Sequence, residues 1–90
     1  MHAVVVTVTL QPGREKESAD QLNATVIPRV KEAPGLVAGY WAQLSGAHGS
    51  SMVIFETEEA ARAAAEMVPS GVPDFVKLDS VEVGEVVGQI

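Results

Sequence analysis

The feature that most constrains this sequence is a pair of segments with apolar side chains on both faces of a predicted strand. The segment from His2 to Leu10 is dense in Val and Thr, which favours a strand, and it contains no Asp, Glu, Lys or Arg. The segment from Ser51 to Phe55 is also apolar on both sides. An antiparallel sheet with one face in water normally alternates apolar with polar residues. These two strands are therefore predicted to lie in the centre of a sheet that is covered on both faces.

A helix is predicted between the first two strands. From Arg14 to Ala33 the apolar residues recur at steps of three or four, which is the spacing of one helix face. They are Ala19, Leu22, Val26, Val30 and Ala33. Pro28 lies inside this stretch and has no backbone N–H to donate, so we expect a kink or a tightened last turn there. Pro34-Gly35 ends the helix.

Three further elements complete the pattern. They are a strand from Leu36 to Leu44, a helix from about Glu58 to Met67, and a last strand from Val76 to Val87. His48 falls in a glycine-containing hairpin loop, 45–49, before the strand that begins at Ser51. In the last strand the apolar residues change from even to odd positions, which predicts a bulge near Asp79-Ser80.

The order βαββαβ predicts one α+β domain over residues 1–90, with a four-stranded antiparallel sheet in spatial order 4-1-3-2 and two helices on one face. Nothing in the chain remains to cover the other face. A monomer would expose an apolar patch of several hundred Å², which soluble proteins rarely do. A second copy related by two-fold symmetry is the simplest cover, so we predict a homodimer. The candidate interface residues are Val5, Thr7, Val53, Phe55, Val81 and Val83.

The charge pattern excludes several classes of protein. The 90 residues carry a net charge of −6, which disfavours nucleic-acid binding, and all of it lies in residues 56–90. The apolar run near the start is too short to span a membrane and has no features of a leader, so we expect no membrane association. The absence of Cys agrees with a cytoplasmic protein. His2 and His48 are far apart and have no paired carboxylates nearby, so no metal site is expected.

Three segments carry a resemblance to a known family. They are the Val-rich first strand ending at Gln11-Pro12-Gly13, the segment from Pro34 to Trp41, and the run from Met52 to Ala61. The chain is similar to the dimeric α/β-barrel superfamily, the ferredoxin-like group that includes the antibiotic-biosynthesis monooxygenases. The resemblance spans nearly the whole chain. It implies that two sheets pair face to face in a barrel and that a pocket lies between sheet and helices.

The resemblance also shows which activities the residues do not fit. Haem-degrading members use an Asn on the first strand, and a Trp and a His on or after the second helix. Here the first strand offers Val and Thr, the helix at Ala63-Ala64-Ala65 has no Trp, and no His follows Phe55. Chlorite dismutases need a haem-ligating His in a much longer chain. We therefore expect no haem chemistry and no cofactor.

Cofactor-free monooxygenases of this superfamily place Trp, Tyr, Asn or His beside an activated aromatic substrate. The corresponding pocket candidates here are Tyr40, Trp41, Gln43, Asn23 and His48. Tyr40 and Trp41 are neighbours on a strand, so they point to opposite faces, one toward the helix-side core and the other toward the predicted interface. Both are also suited to a role as packing anchors.

Two functions follow from these observations. The first is a small dimeric barrel protein that binds a small apolar or aromatic molecule between sheet and helices. The second is a cofactor-independent monooxygenase that acts on a phenolic or quinol-like substrate. The low aromatic content of 4% favours the first, and the resemblance favours the second. A cavity of roughly 300 Å³ beside Tyr40 or Trp41 would be compatible with the monooxygenase.

Overall fold

The computed structural model describes all residues from Met1 to Ile90. The four strands are β1 (His2–Leu10), β2 (Leu36–Leu44), β3 (His48–Phe55) and β4 (Val76–Glu85). The first helix, α1, has three consecutive segments: α-helical Glu15–Gln21, π-helical Leu22–Val26 and α-helical Ile27–Val30. The second helix, α2, is Glu58–Gly71. The predicted order βαββαβ is confirmed.

The sheet is antiparallel throughout and has the order β2-β3-β1-β4, as predicted. The two strands that are apolar on both faces, β1 and β3, occupy its centre. In the pairing of β1 with β4, Thr7 lies opposite Ser80 and Val8 opposite Leu78, so Asp79 is an additional residue. The predicted bulge is therefore confirmed, and it keeps Leu78 and Val81 on the same face of the sheet.

The core lies between the sheet and α2. Phe55 is 1% exposed and Ala61 of α2 is 0% exposed, and both belong to one cluster with Val4 and Val53. The small side chain of Ala61 lets α2 approach the sheet closely. Thr57 caps this helix by accepting a hydrogen bond from the Ala60 N–H at 3.1 Å.

Four of the six predicted interface residues lie on the wrong face of the sheet for that role. Val4 pairs with both Val53 and Val83, and directly paired residues point to the same side. The helix-facing residues therefore include Val53, Phe55, Val81 and Val83, which pack in or against the chain's own core. These four residues face the helices because the register pairs even-numbered residues of β1 with odd-numbered residues of β3 and β4, which the sequence does not reveal. Val5 and Thr7 do lie on the face that the helices leave uncovered.

This uncovered side, which we call the open face, is apolar over the middle of β1, β2 and β3. Tyr40 is 72% exposed and Met52 is 48% exposed, and they are paired across β2 and β3. Leu44 is also exposed, while Val5 is half-buried. No part of the chain packs over these side chains.

Some element boundaries differ from the predicted ones. His48 is the first residue of β3 rather than a loop residue, because the hairpin turn occupies only 45–47. In this turn the backbone of Ala47 adopts the left-handed conformation, with φ 60°. Helix α2 continues through Pro69 to Gly71 instead of ending at Met67. Strand β4 ends at Glu85, after which Val86 donates a backbone hydrogen bond to Met1.

None of the helices has the length and the apolar character needed to cross a bilayer.

Candidate ligand cavity between the sheet and the helices

The two helices cover the sheet very differently. None of the residues of α1 is buried, whereas α2 buries Ala61 completely. The apolar stripe of α1 therefore faces the sheet across a gap. This gap is a cavity of about 710 Å³ between α1, α2 and the helix-facing side of the sheet. Its apolar walls include Val6, Val8, Leu22, Val26, Val53 and Trp41.

The middle of α1 is a π-helical turn, whereas the sequence predicts a kink or a tightened last turn. The N–H of Ile27 bonds to the carbonyl of Leu22, five residues earlier. Pro28, which follows, cannot donate a hydrogen bond, so the helix is wider before it instead of tighter. Single π-turns of this kind are frequent at functional sites.

Asn23 lies in this π-helical turn and lines the cavity. Its side-chain Nδ2 donates to the carbonyl oxygen of Ala19 at 2.9 Å. This bond holds the amide group in place and leaves the acceptor oxygen of the amide without a partner in the chain.

Trp41 and Gln43 project from β2 into the same cavity. The indole of Trp41 lies across the backbone of Gly39, where an added Cβ would be 3.1 Å from two ring carbons. Tyr40 points the other way, to the open face. The expectation that these neighbours face opposite sides is thus met, with the tryptophan on the helix side.

Of the predicted pocket residues, Tyr40 and His48 lie away from the cavity. The prediction was wrong for His48 because it placed this residue in the hairpin loop, whereas His48 belongs to β3 and its side chain lies on the open face. There the Thr9 hydroxyl donates to Asp79 Oδ2 at 2.5 Å and lies 3.2 Å from His48 Nδ1. Since Thr9 has only one hydroxyl hydrogen, the Nδ1 of His48 is assigned as the donor in the second bond. This network joins β1, β3 and the bulge of β4.

The cavity is nearly free of charge. Among its lining residues only Arg29 and Glu32 are charged, and both are exposed at its rim. The remaining polar groups are uncharged, such as the amides of Asn23 and Gln43 and the hydroxyl of Ser51. Ser51 and Arg29 were not among the predicted site residues. The sequence places Ser51 next to Met52 in a predicted strand and Arg29 next to Val30 in the apolar stripe of the predicted helix. It does not show the cavity that both residues line.

The groups with perturbed acidity lie on the outer surfaces of the helices. A hydrogen bond from the Arg14 guanidinium lowers the pKa of Glu17, and one from Arg62 lowers the pKa of Glu58. These ion pairs stabilise helix ends and do not enter the cavity. The cavity therefore offers apolar contact, the aromatic side chains of Trp41 and Phe55, and neutral hydrogen-bonding groups.

No family model matches the sequence. No curated protein matches it. HapK from Hahella chejuensis is similar in structure at 13% identity and a TM-score of 0.77, over 99% of this chain and 95% of that one. A mutant of MhuD with two manganese protoporphyrin IX molecules bound per active site gives 16% identity and a TM-score of 0.76, over 100% of this chain and 98% of that one.

A third similar structure is the monooxygenase from the gene ActVA-Orf6 of Streptomyces coelicolor, in complex with nanaomycin D. It shares 19% identity at a TM-score of 0.68, over 99% of this chain and 89% of that one. Identities this low establish a common fold and leave the activity open. The strand order, the two helices on one face and these likenesses agree, and the chain therefore has a ferredoxin-like βαββαβ fold, which it shares with these structures.

Proposed function

We propose that this chain is a cytoplasmic homodimer that binds a small apolar or aromatic molecule in the cavity between sheet and helices. The observation that carries the proposal is the cavity of about 710 Å³ beside Trp41. Ligand pockets commonly have volumes of roughly 300–1,000 Å³ and are mostly apolar with a few polar groups.

The chemistry of the walls favours a flat ring system. The face of an indole stacks well on an aromatic ring, and the valines of β1 and α1 provide apolar contact on the other sides. The amides of Asn23 and Gln43 each suit a hydroxyl or carbonyl group on such a ring. The porphyrin of MhuD and the nanaomycin D of ActVA-Orf6 are ligands of proteins with the same fold, which supports this choice.

Binding can be followed through Trp41, the only tryptophan of the chain. We expect titration with 1,4-naphthoquinone to quench its fluorescence in a saturable manner. Val26→Phe, which places extra volume in the cavity, should weaken binding. Thr25→Phe is the matched control, because Thr25 is exposed and does not line the cavity. Quenching without saturation, or equal effects of both variants, would contradict the proposal.

A cofactor-independent monooxygenase is the second candidate, favoured by the likeness to ActVA-Orf6 and by the presence of aromatic and amide side chains in the cavity. In such a reaction a phenol and O₂ give a quinone and water. One oxygen atom enters the ring para to the hydroxyl, and the other leaves as water with two hydrogens from the substrate. The substrate supplies all four electrons, so no further reductant is needed. The Glu32 carboxylate at the rim or solvent would accept the phenolic proton, since the inner walls contain no base.

Oxygen uptake with a panel of phenols and hydroquinones tests this second candidate. With 1-naphthol we expect one O₂ consumed for each 1,4-naphthoquinone formed, and a lower rate for Trp41→Phe. Uptake that is the same with and without the protein would contradict catalysis and leave the binding function in place.

The homodimer is proposed from the open face. Tyr40, Leu44 and Met52 are each between about half and three-quarters exposed, and they adjoin Val5 and Thr7 on β1. A contiguous apolar patch of this kind marks an interaction surface. Sedimentation at micromolar concentration should show a species of twice 9.4 kDa, and the 9.4 kDa species alone would contradict the dimer.

A further inference from the structure

We propose that Arg29 selects ligands that carry a carboxylate, with the apolar ring inside the cavity and the acid group at the rim. This inference rests on the proposed binding function and adds the chemical class of the ligand. It follows from the charges of the whole chain and from the position of one arginine.

Most cations of this protein are already engaged by carboxylates. Of the six Lys and Arg residues, four form ion pairs: Arg14 with Glu17, Lys16 with Asp20, Arg62 with Glu58 and Lys77 with Asp79. Arg29 and Lys31 form none. Only Arg29 lines the cavity. In a chain with a net charge of −6, the one unpaired cation at the cavity is therefore an arginine.

The position of Arg29 suits contact with a ligand end that stays near water. It lies in the last turn of α1, next to Val30, whose side chain packs against the core cluster. The backbone at this point is therefore held, while the exposed guanidinium extends from the rim. Its planar group of N–H donors matches the two oxygens of a carboxylate. Its aliphatic stem can cover apolar ring surface at the same time.

The inner walls make the opposite orientation of the ligand unfavourable. Removing a carboxylate from water without a cation is costly, and the polar groups inside the cavity are neutral amides and hydroxyls. A ligand acid is therefore directed to the rim. Glu32, the other charged lining residue, would repel it there, and it forms no ion pair with Arg29 in the free protein.

A pair of probes with the same ring tests the inference in the intact protein. We expect 2-naphthoate to bind about fivefold or more tightly than the neutral 2-naphthamide, as measured by Trp41 fluorescence at low ionic strength. Arg29→Gln should remove this preference by weakening the naphthoate and leaving the naphthamide unchanged. Glu32→Gln should strengthen the naphthoate.

Lys31→Gln is the matched control. It removes the other unpaired cation, two residues away and outside the cavity lining, and should leave the preference intact. Equal binding of both probes by the unmodified protein would overturn the role of Arg29, as would equal losses in the two variants. Either result leaves the cavity as a binding site for neutral rings. If neither probe binds, the role of Arg29 and the binding function are both wrong.

Discussion

At the scale of single residues, a small number of side chains carries the core. Only seven of the 90 residues are buried, so each of them contributes a large share of the apolar contact. Phe55 is the largest fully buried side chain, and it lies against Ala61 in the same cluster. The other phenylalanine, Phe75, lies near the surface with the Arg14 guanidinium 3.9 Å from its ring centre.

The two phenylalanines form a matched pair for measuring this difference. Phe55→Ala should lower the free energy of unfolding by about 3–5 kcal/mol, because it leaves a cavity in the core. Phe75→Ala should cost about 1 kcal/mol, since it removes partly exposed contacts and a surface cation–π interaction. Urea denaturation at a fixed protein concentration measures both. Similar losses for the two variants would show that the core is not centred on Phe55.

The Glu58–Arg62 ion pair gives a pH-dependent contribution to stability. Hydrogen bonds of 2.6 and 3.0 Å from Arg62 hold the pKa of Glu58 below its ordinary value of 4.5. The folded-state pKa is thus lower than the unfolded one, so this stabilisation is present above the ordinary value and is lost as the pH falls through the lowered pKa. Glu58→Gln should therefore lower Tm at neutral pH, and this loss of Tm should shrink as the pH falls through the lowered pKa.

Glu59→Gln is the control for that experiment. It removes a carboxylate from the same helix turn without removing an ion pair. A loss of Tm for Glu58→Gln that is no greater than for Glu59→Gln, or that persists unchanged in acid, would contradict a stabilising role of the pair.

At the scale of elements, the two helices show what sequence spacing can and cannot predict. The stripe at Leu22, Val26 and Val30 predicts a helix, but its steps of four fit a π-helical turn as well as an α-helical one. The spacing also does not encode how far α1 stands from the sheet, and the cavity depends on that distance. The bulge at Asp79 was predictable because a change from even to odd positions has a single geometric solution.

The faces of the central strands were harder to predict than the strands themselves. Because β1 and β3 have apolar residues on both sides, the pattern does not say which side the helices cover. The pairing of Val4 with Val53 decides it, and that pairing is a property of the folded sheet. Trp41 and Tyr40 could be assigned to opposite faces, but not to a particular one, for the same reason.

Pro28 is expected to maintain the π-helical turn. Pro28→Ala restores an N–H that can donate to the carbonyl of Ala24, so a regular α-helix can continue through this point. We expect stability to rise by about 1 kcal/mol in urea denaturation, while affinity for cavity ligands falls because Asn23 rotates away. Pro12→Ala, in the turn before α1, is the control and should not raise stability. A loss of stability in Pro28→Ala would contradict this account.

At the scale of the whole molecule, the sheet has two different tasks. Its helix-facing side provides both the core and the proposed ligand cavity, and its open face provides the proposed contact with a second copy. The charged residues of the open face lie at its edge: Lys77 and Glu82 of β4 flank its apolar centre. The apolar character of both faces of β1 and β3 predicts a second copy on the open face, and the homodimer stays a prediction.

Substitutions at two exposed methionines test whether the open face forms the dimer interface. Met52→Glu places a carboxylate on the open face, and two-fold symmetry would bring two such charges into one interface. We expect it to raise the dissociation constant of the dimer by about a hundredfold or more in sedimentation equilibrium. Met67→Glu is the control, since Met67 is 66% exposed on α2, on the helix side. A dimer that is unaffected by Met52→Glu would exclude the open face as its interface.

The close approach of Trp41 to Gly39 has a consequence for how a chain of this kind could diversify. The hydrogen atom at position 39 leaves room for the indole against its own strand, because a methyl group there would lie 3.1 Å from two ring carbons, which is closer than ordinary contact. An alanine would lift the ring from the strand and shrink the space that it now borders. The volume of the cavity can therefore be changed by one small substitution that leaves the frame of the protein unchanged.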